Sequence, residues 1–328
     1  MRRPQPADGL RSTRKSRTFY PVDPALQERM RATSFEGSYT FMLHQDLDFV
    51  IPYIIGRGGE PEARVTGPDA DRAAPLIERA LSGRDWTPSL YESVRKFVSS
   101  TAQHLVIGGP VTYEIDYLHP QEATSGAPTE FRLELVPPGT LSYHRRQPIQ
   151  YVPAAFGGPR DKTGLTYVDL DPATLVTFRL EPAEEAAVRK MVNFLRAASS
   201  LHRAETPLME QSIRDGTPYS FTEHQRERGE LFAKVTEPIG WNVRELFQDN
   251  HLAPYDVWRQ LRFLEFKIRL RDLIMNRLNT TLSEVGSQLD FQAAIELSGL
   301  PTLQDVDNAK NDLRSGRRSL NDLATFAI

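Results

Sequence analysis

Residues 91–139, YESVRKFVSSTAQHLVIGGPVTYEIDYLHPQEATSGAPTEFRLELVPPG, decide how this chain is read. Val94, Phe97, Val98, Ala102, Leu105 and Val106 recur at three- and four-residue steps, the period of a helix that buries one face. Gly108-Gly109-Pro110 stops it, because glycine accepts the left-handed backbone that ends a helix and proline cannot continue one. From Val111 the period becomes two. Val111, Tyr113, Ile115 and Tyr117 alternate with Thr112, Glu114 and Asp116, the pattern of a half-buried strand. A polar loop over 119–129 leads to a second strand, in which Phe131, Leu133 and Leu135 alternate with Arg132 and Glu134 until Pro137-Pro138-Gly139 closes it. The predicted unit is a helix, a sharp stop and a hairpin.

Working outward, short strands are expected at Leu141 and Tyr143, at 149–152, at 165–170 and at 175–180, separated by Gly- and Pro-bearing turns. With the first hairpin they predict one small, mostly antiparallel sheet of about five or six strands. Gly157-Gly158-Pro159 reads as a turn, since it lacks the Lys-Ser/Thr and helix that a phosphate-binding loop requires. Upstream, Asp23 and Pro24 open a helix over 21–30, residues 56–75 read as loop, and 75–81 as a short helix.

Beyond Pro182 the pattern turns helical. Glu184 and Glu185 suit the first turn of a helix whose buried stripe is Ala187, Met191, Phe194, Leu195, Ala198 and Leu201, and Pro207 interrupts or bounds it. A second helix is expected over 222–235, a break at Glu237-Pro238-Ile239-Gly240 and a short element over 242–247. The longest helical signal runs from 254 to 285, with Gly286 beyond its end. Its apolar residues wrap most of the way round, so it packs against several neighbours within the chain or between subunits. Arg259, Arg262, Lys267, Arg269, Arg271 and Arg277 line the remainder, as candidates for a subunit interface or a channel wall. They would pair with carboxylates of adjacent helices or subunits, or face phosphate.

The chain has 328 residues, 39% hydrophobic and 25% charged, with 40 basic and 43 acidic residues for a net charge of −3. That balance argues against a surface that grips nucleic acid throughout. Locally, Arg2, Arg3, Arg11, Arg14, Lys15 and Arg17 against Asp8 alone make a basic arm, either a solvated tail or a contact for phosphate or an acidic partner. No apolar run reaches the eighteen or so residues that span a bilayer, and no apolar core follows the charged start as in a secretory signal. Cysteine is absent, which excludes disulfides and thiolate metal sites.

Catalytic patterns are sparse. Seven histidines are scattered without H-x-H or H-E-x-x-H spacing, and no G-x-S-x-G, Walker A or G-x-G-x-x-G after a strand occurs. His44, Asp46 and Asp48 form an H-x-D-x-D pattern that on a strand would share one face, but no second cluster accompanies it, so it reads as surface. Asp46, Asp48, Asp169 and Asp171 are the first candidates if the chain is instead a metal-dependent hydrolase or nuclease.

The order of pieces around Gly109, Tyr113, Glu114, Ile115, Leu133, Leu135 and Pro137 resembles the wing region of tailed-phage portal proteins, the head–tail connector family. The tail adds a second likeness in the expected order. Leu297, Gly299, Leu300 and Pro301 are followed by Leu313, Gly316, Ser319, Asn321 and Asp322, similar to the short terminal helices of that family. The resemblance implies an α+β fold, with an N-terminal helix and small mostly antiparallel sheet followed by a largely α-helical half that holds one long helix. It implies a basic arm over 1–20, a wing-like domain over 21–180, a stem- and clip-like region over 181–252, a long helix over 253–286 returning through the wing, and crown-like helices over 287–328. The chain is shorter than many portals and shows no distinct β-rich clip.

By the same resemblance the protein would be a non-enzymatic virion component without cofactor or metal, assembled in the host cytoplasm. It would form a homo-dodecameric ring at one capsid vertex and contact the major capsid protein, the terminase and a head–tail adaptor, with double-stranded DNA passing through. Arg314, Arg317 and Arg318 are then the candidates to face DNA. The other reading open at this point is a different virion or scaffold protein with a wing-like domain.

Overall fold

The computed structural model describes residues 10–12, 37–52, 61–82, 89–120, 127–137, 139–153, 165–214, 221–242 and 253–327. Its helices are α1 (Ser38–Leu47), α2 (Ala70–Ser82), α3 (Leu90–Gly108), α4 (Pro182–Arg214), α5 (Phe221–Thr236), α6 (Ala253–Leu289), α7 (Leu303–Ser315) and α8 (Leu320–Ala327). Its strands are β1 (Leu10–Ser12), β2 (Glu62–Thr66), β3 (Val111–Pro120), β4 (Glu130–Val136), β5 (Leu141–His144), β6 (Gln147–Pro153), β7 (Leu165–Asp169), β8 (Leu175–Phe178) and β9 (Ala294–Ser298). The protein is α+β with small antiparallel sheets. The helices expected over 21–30 and the short element over 242–247 lie outside the described residues, apart from Asn242 itself.

By contacts the chain divides into two compact units. One gathers the described residues of 1–34, 51–179 and 273–299, the other those of 35–50, 180–272 and 300–328.

The first unit is built on α3 and β3. Ser89 caps α3 by accepting the Glu92 N–H at 3.3 Å, and Gly109 ends it at φ 89°. An added Cβ at Gly109 would meet nothing within 4 Å, so the backbone angle alone requires glycine there. β3 is the central strand. It pairs with β4 along one edge, and on the other with β8 at its start and β1 at its end. Phe97 of α3 stacks with Tyr113 of β3 and Phe178 of β8 at centroid separations of 5.0 and 6.0 Å, and the Tyr113 hydroxyl lies 2.7 Å from that of Thr101. Burial holds the Tyr113 phenol up at about 12 despite that bond.

The strands form three sheets rather than the single one expected, because β2 pairs with β9 and β5-β6-β7 make a sheet of their own. The 56–75 loop is likewise corrected. It contains β2, whose partner is more than 220 residues away in the chain, and α2 starts at Ala70, the Asp69 carbonyl accepting the Arg72 and Ala73 N–H groups. Pro75 lies inside that helix.

Gly286 does not stop the long helix but sits in its last turn. The Phe291 N–H returns to the Gly286 carbonyl at 3.0 Å with Asp290 in left-handed geometry at φ 57°, a Schellman-type ending. From α2, Arg72 donates to the carbonyls of Asp290 and Leu289 at 2.8 and 3.1 Å, and Asp69 accepts the Gln292 N–H at 2.8 Å. A cation thereby meets the negative end of α6.

At the β5–β6 turn, Arg145 (φ 49°) and Arg146 (φ 73°) fill both central positions of a two-residue hairpin. Such a turn favours Asn-Gly, and each left-handed non-glycine residue costs about 1–2 kcal/mol.

In the second unit α1 packs on α4, where Ser199 accepts the Tyr39 N–H at 3.3 Å. Tyr39 and Phe194 stack on Phe232 of α5 at 4.8 and 5.3 Å, and Arg228 reaches the Tyr39 hydroxyl. α4 runs through Pro207 instead of ending there. α7 and α8 lie on the first turns of α6, where Val306, Ala309, Leu323 and Ala327 bury Val257, Leu261, Leu264 and Ile268. Thr302 and Asp305 form a capping box at the start of α7, Gly316 closes it at φ 65°, and Ser319 caps α8 by accepting the Asp322 N–H at 3.1 Å.

Candidate functional site

The residues singled out by sequence lie mostly on α6 and the terminal helices, and the second unit shows why they are basic. α6 is buried on most sides near its middle, so some of its cations must be buried with the apolar residues. Arg259 is only 2% exposed. Its guanidinium donates to the carbonyl oxygens of Ala233 (2.9 Å) and Trp241 (2.7 Å), to Thr236 Oγ1 (2.6 Å) and to Asn242 Oδ1 (3.0 Å). These acceptors come from the end of α5 and the turn after it. Arg259 thus takes up the Ala233 carbonyl in the last turn of α5 and holds the 237–242 turn against α6. Gly240 permits that approach, since at φ 72° an added Cβ would come within 2.8 Å of the Arg259 carbonyl oxygen.

Trp241 is buried beside it and donates its indole N–H to Asp46 of α1 at 2.9 Å. Lys267 is also buried, with its ammonium 5.3 Å from the Phe263 ring centroid. Desolvation lowers its pKa to about 8, against the pull of Asp46.

Other cations of α6 pair within their own unit. Arg262 meets Glu237 at 3.9 Å, Arg269 meets Glu184 at 3.1 Å and Arg271 its neighbour Asp272 at 3.0 Å. In the first unit Arg277 meets Glu284 at 3.8 Å.

On the terminal helices Lys310 bonds Glu265 at 2.7 Å and lies 5.7 Å from the Trp258 ring centroid, while Arg314 stacks on the same ring at 5.0 Å. Arg318 lies 5.9 Å from the Phe326 ring, and Arg317 is exposed in the connecting turn. Of the three arginines, Arg314 and Arg318 thus lie over different aromatic rings and Arg317 is the least engaged in packing. Trp258 joins this group only through packing. A tryptophan on α6 gives no local sign that a helix some fifty residues later will place two cations on it.

Of the basic arm, Arg11 lies in β1, paired at the end of β3, and Arg2, Arg3, Arg14, Lys15 and Arg17 fall outside the described residues. His44, Asp46 and Asp48 lie on a helix and the 3₁₀ turn that follows it, not on a strand, so the three do not share one face, and Asp46 stands apart from the His44–Asp48 pair. Burial holds the His44 imidazole below its ordinary range against the pull of Asp48. Asp171 accepts the Ala173 N–H at 3.1 Å. Among the described residues no group of three or more His, Asp or Glu is arranged to hold a metal ion. A cleft of about 380 Å³ beside the end of α6 is lined by Asp69, Ser283, Ser287, Asp290 and Gln292, and its two carboxylates are engaged by the Gln292 N–H and by Arg72. No helix among the described residues is long and apolar enough to cross a membrane. Neither a protein-family model nor a curated protein matches the chain.

Proposed function

We propose that this chain is a structural, ring-forming protein of the portal type, acting at a capsid vertex as a channel for double-stranded DNA. One observation carries the reading, the path of the chain. It builds α2, α3 and the β3-centred sheet, leaves for an excursion over 180–272 whose described residues are mainly helical, and returns through α6 so that β9 pairs with β2 of the first unit. Two terminal helices then follow. That order of a wing-like unit, an excursion, a long returning helix and short final helices supports a portal with the stem and clip in the excursion and the crown at the end.

The charge arrangement supports it too. Most α6 cations are consumed inside the units and the net charge is −3, which leaves a surface over which a polyanion slides rather than sticks. On this reading the function is geometric, no residue is catalytic, and the partners are further copies of the chain, the major capsid protein, the terminase and a head–tail adaptor.

Native mass spectrometry with negative-stain imaging of the full chain at micromolar concentration tests it. A closed ring of about twelve copies with a central hole is expected. A monodisperse monomer or dimer across that range overturns the proposal and turns attention to metal-dependent nuclease assays of Asp46, Asp48, Asp169 and Asp171.

A further inference from the structure

The geometry points to the β5–β6 hairpin tip, Tyr143 to Gln147, as a contact for the phosphate backbone of duplex DNA. The inference stands on the hairpin alone and holds whether or not the chain closes into a ring.

Three observations meet at this tip. First, its two central residues are arginines held at positive φ, 49° and 73°, where asparagine and glycine would sit without strain. Backbone strain of this kind persists where the side chain is wanted for something other than stability. Second, among the described residues neither guanidinium is held by an ion pair or hydrogen bond, whereas Arg64, Arg72, Arg79, Arg95, Arg269 and Arg277 all have carboxylate partners. His144, Arg145 and Arg146 are exposed, and Tyr143 is exposed to 65%. Third, the tip projects past the sheet on a fixed base. The pairing of β6 with β7 ends at Ile149–Asp169, and beyond it Gln147 donates its side-chain amide to the Leu170 carbonyl at 2.6 Å while the Leu170 N–H bonds the Pro148 carbonyl at 3.0 Å. Asp169 and Asp171 lie on that base, and Asp171 accepts the Ala173 N–H.

A two-stranded ribbon has its strands about 4.8 Å apart, and with side chains it fits the roughly 12 Å major groove of B-form DNA. The deep, narrow major groove of A-form RNA does not admit it. Two adjacent guanidiniums at the tip supply phosphate contacts and the Tyr143 hydroxyl a further hydrogen bond to the backbone, none of which reads sequence. Two such contacts per chain give a weak, salt-sensitive hold compatible with DNA that slides.

The test is fluorescence anisotropy of a labelled duplex of about 20 base pairs with the full chain, over about 50 to 200 mM NaCl, comparing wild type with R145N/R146G. That variant installs the residues the turn prefers, so its melting temperature should be no lower. Its binding should weaken and the slope of log affinity against log salt should fall in magnitude by about two. R145K/R146K, which keeps the charges, should retain most of the slope. An unchanged affinity and slope in R145N/R146G overturns the inference, as does no binding by wild type. A lower melting temperature assigns the arginines to the fold and overturns it. Equal, arginine-dependent binding to duplex RNA, or capture of polyglutamate in place of DNA, overturns the duplex-DNA assignment. Native mass spectrometry of both proteins separates this from the ring: a monomer that binds DNA through the tip removes the ring alone, and a ring whose binding ignores the tip removes this inference alone.

Discussion

Two buried cations of α6 behave differently because of what surrounds them. Arg259 is always charged, and the oxygens of Ala233, Thr236, Trp241 and Asn242 replace the water it loses. Lys267 is less well supplied, and its environment shows as a shift down to about 8. The unfolded chain binds this proton up to about pH 10.4 and the folded chain only to about 8, so stability rises with pH between those values. Below pH 8 the folded state carries the full burden, on the order of 3 kcal/mol. Lys267→Met should therefore raise the melting temperature at pH 7, with the gain shrinking towards pH 10. Asp46 keeps the Trp241 indole N–H in that variant, so it is not left without a donor. Thermal melts of both proteins at pH 7, 8, 9 and 10 check this, and a gain that is absent or independent of pH refutes it. The series stops at pH 10 because Tyr113 then acts with the opposite sign. Its raised pKa contributes stability that is complete below about 10 and is lost as the pH climbs through about 12.

At the scale of the element, the end of α6 sets backbone fit against propensity. Alanine is favoured over glycine in a helix by about 1 kcal/mol. At Gly286, however, a Cβ would stand 2.2 Å from the Phe291 carbonyl oxygen, which belongs to the backbone turn that closes the helix. Gly286→Ala should then destabilise by about 2 kcal/mol or more, while Asp290→Gly, which frees a left-handed position, should stabilise by about 1 kcal/mol. Denaturant melts of the pair check the opposite signs, and a neutral or stabilising Gly286→Ala contradicts the argument. From sequence alone, glycine marks a helix stop at Gly286 as it does at Gly109. That works at Gly109, where φ is 89°, and fails at Gly286, where the requirement comes from a close approach made after the helix has turned. Local periodicity therefore revealed α3, β3 and β4, the existence of β5 to β8, and the long helix. It could not reveal β2, whose polar sequence Glu62–Thr66 becomes a strand through β9, nor which strands share a sheet. The candidate site was legible in part. The basic residues of α6 and of 314–318 were visible as charge, but burial of Arg259 and the stacking of Arg314 on Trp258 depend on packing. Arg145 and Arg146 carried no signal, because Arg-Arg is not the residue pair that a two-residue turn announces.

At the scale of the whole molecule, each compact unit is assembled from separated stretches of chain, and α6 supplies its first turns to one and its last to the other. A unit of this kind does not survive simple truncation. Residues 51–179 hold α2, α3 and most strands of the first unit, yet Ile274, Leu278, Leu282, Val285, Phe291 and Ile295 are buried members of it that come from 273–299. At about 1.5–3 kcal/mol for each buried side chain they are together on the order of 10 kcal/mol, comparable to the whole net stability of a domain. The same segment provides β9 for β2, and Asn279, which pairs with both backbone groups of Ile295 at 2.8 and 3.0 Å, fixes β9 to α6. Expressed alone, fragment 51–179 should show no cooperative thermal transition by near-ultraviolet circular dichroism where the full chain does, and a peptide of 273–299 added in trans should recover ellipticity beyond the sum of the two. A sharp melt of the fragment by itself contradicts this. A chain that must return to complete its first unit cannot finish that unit until α6 and β9 have been made.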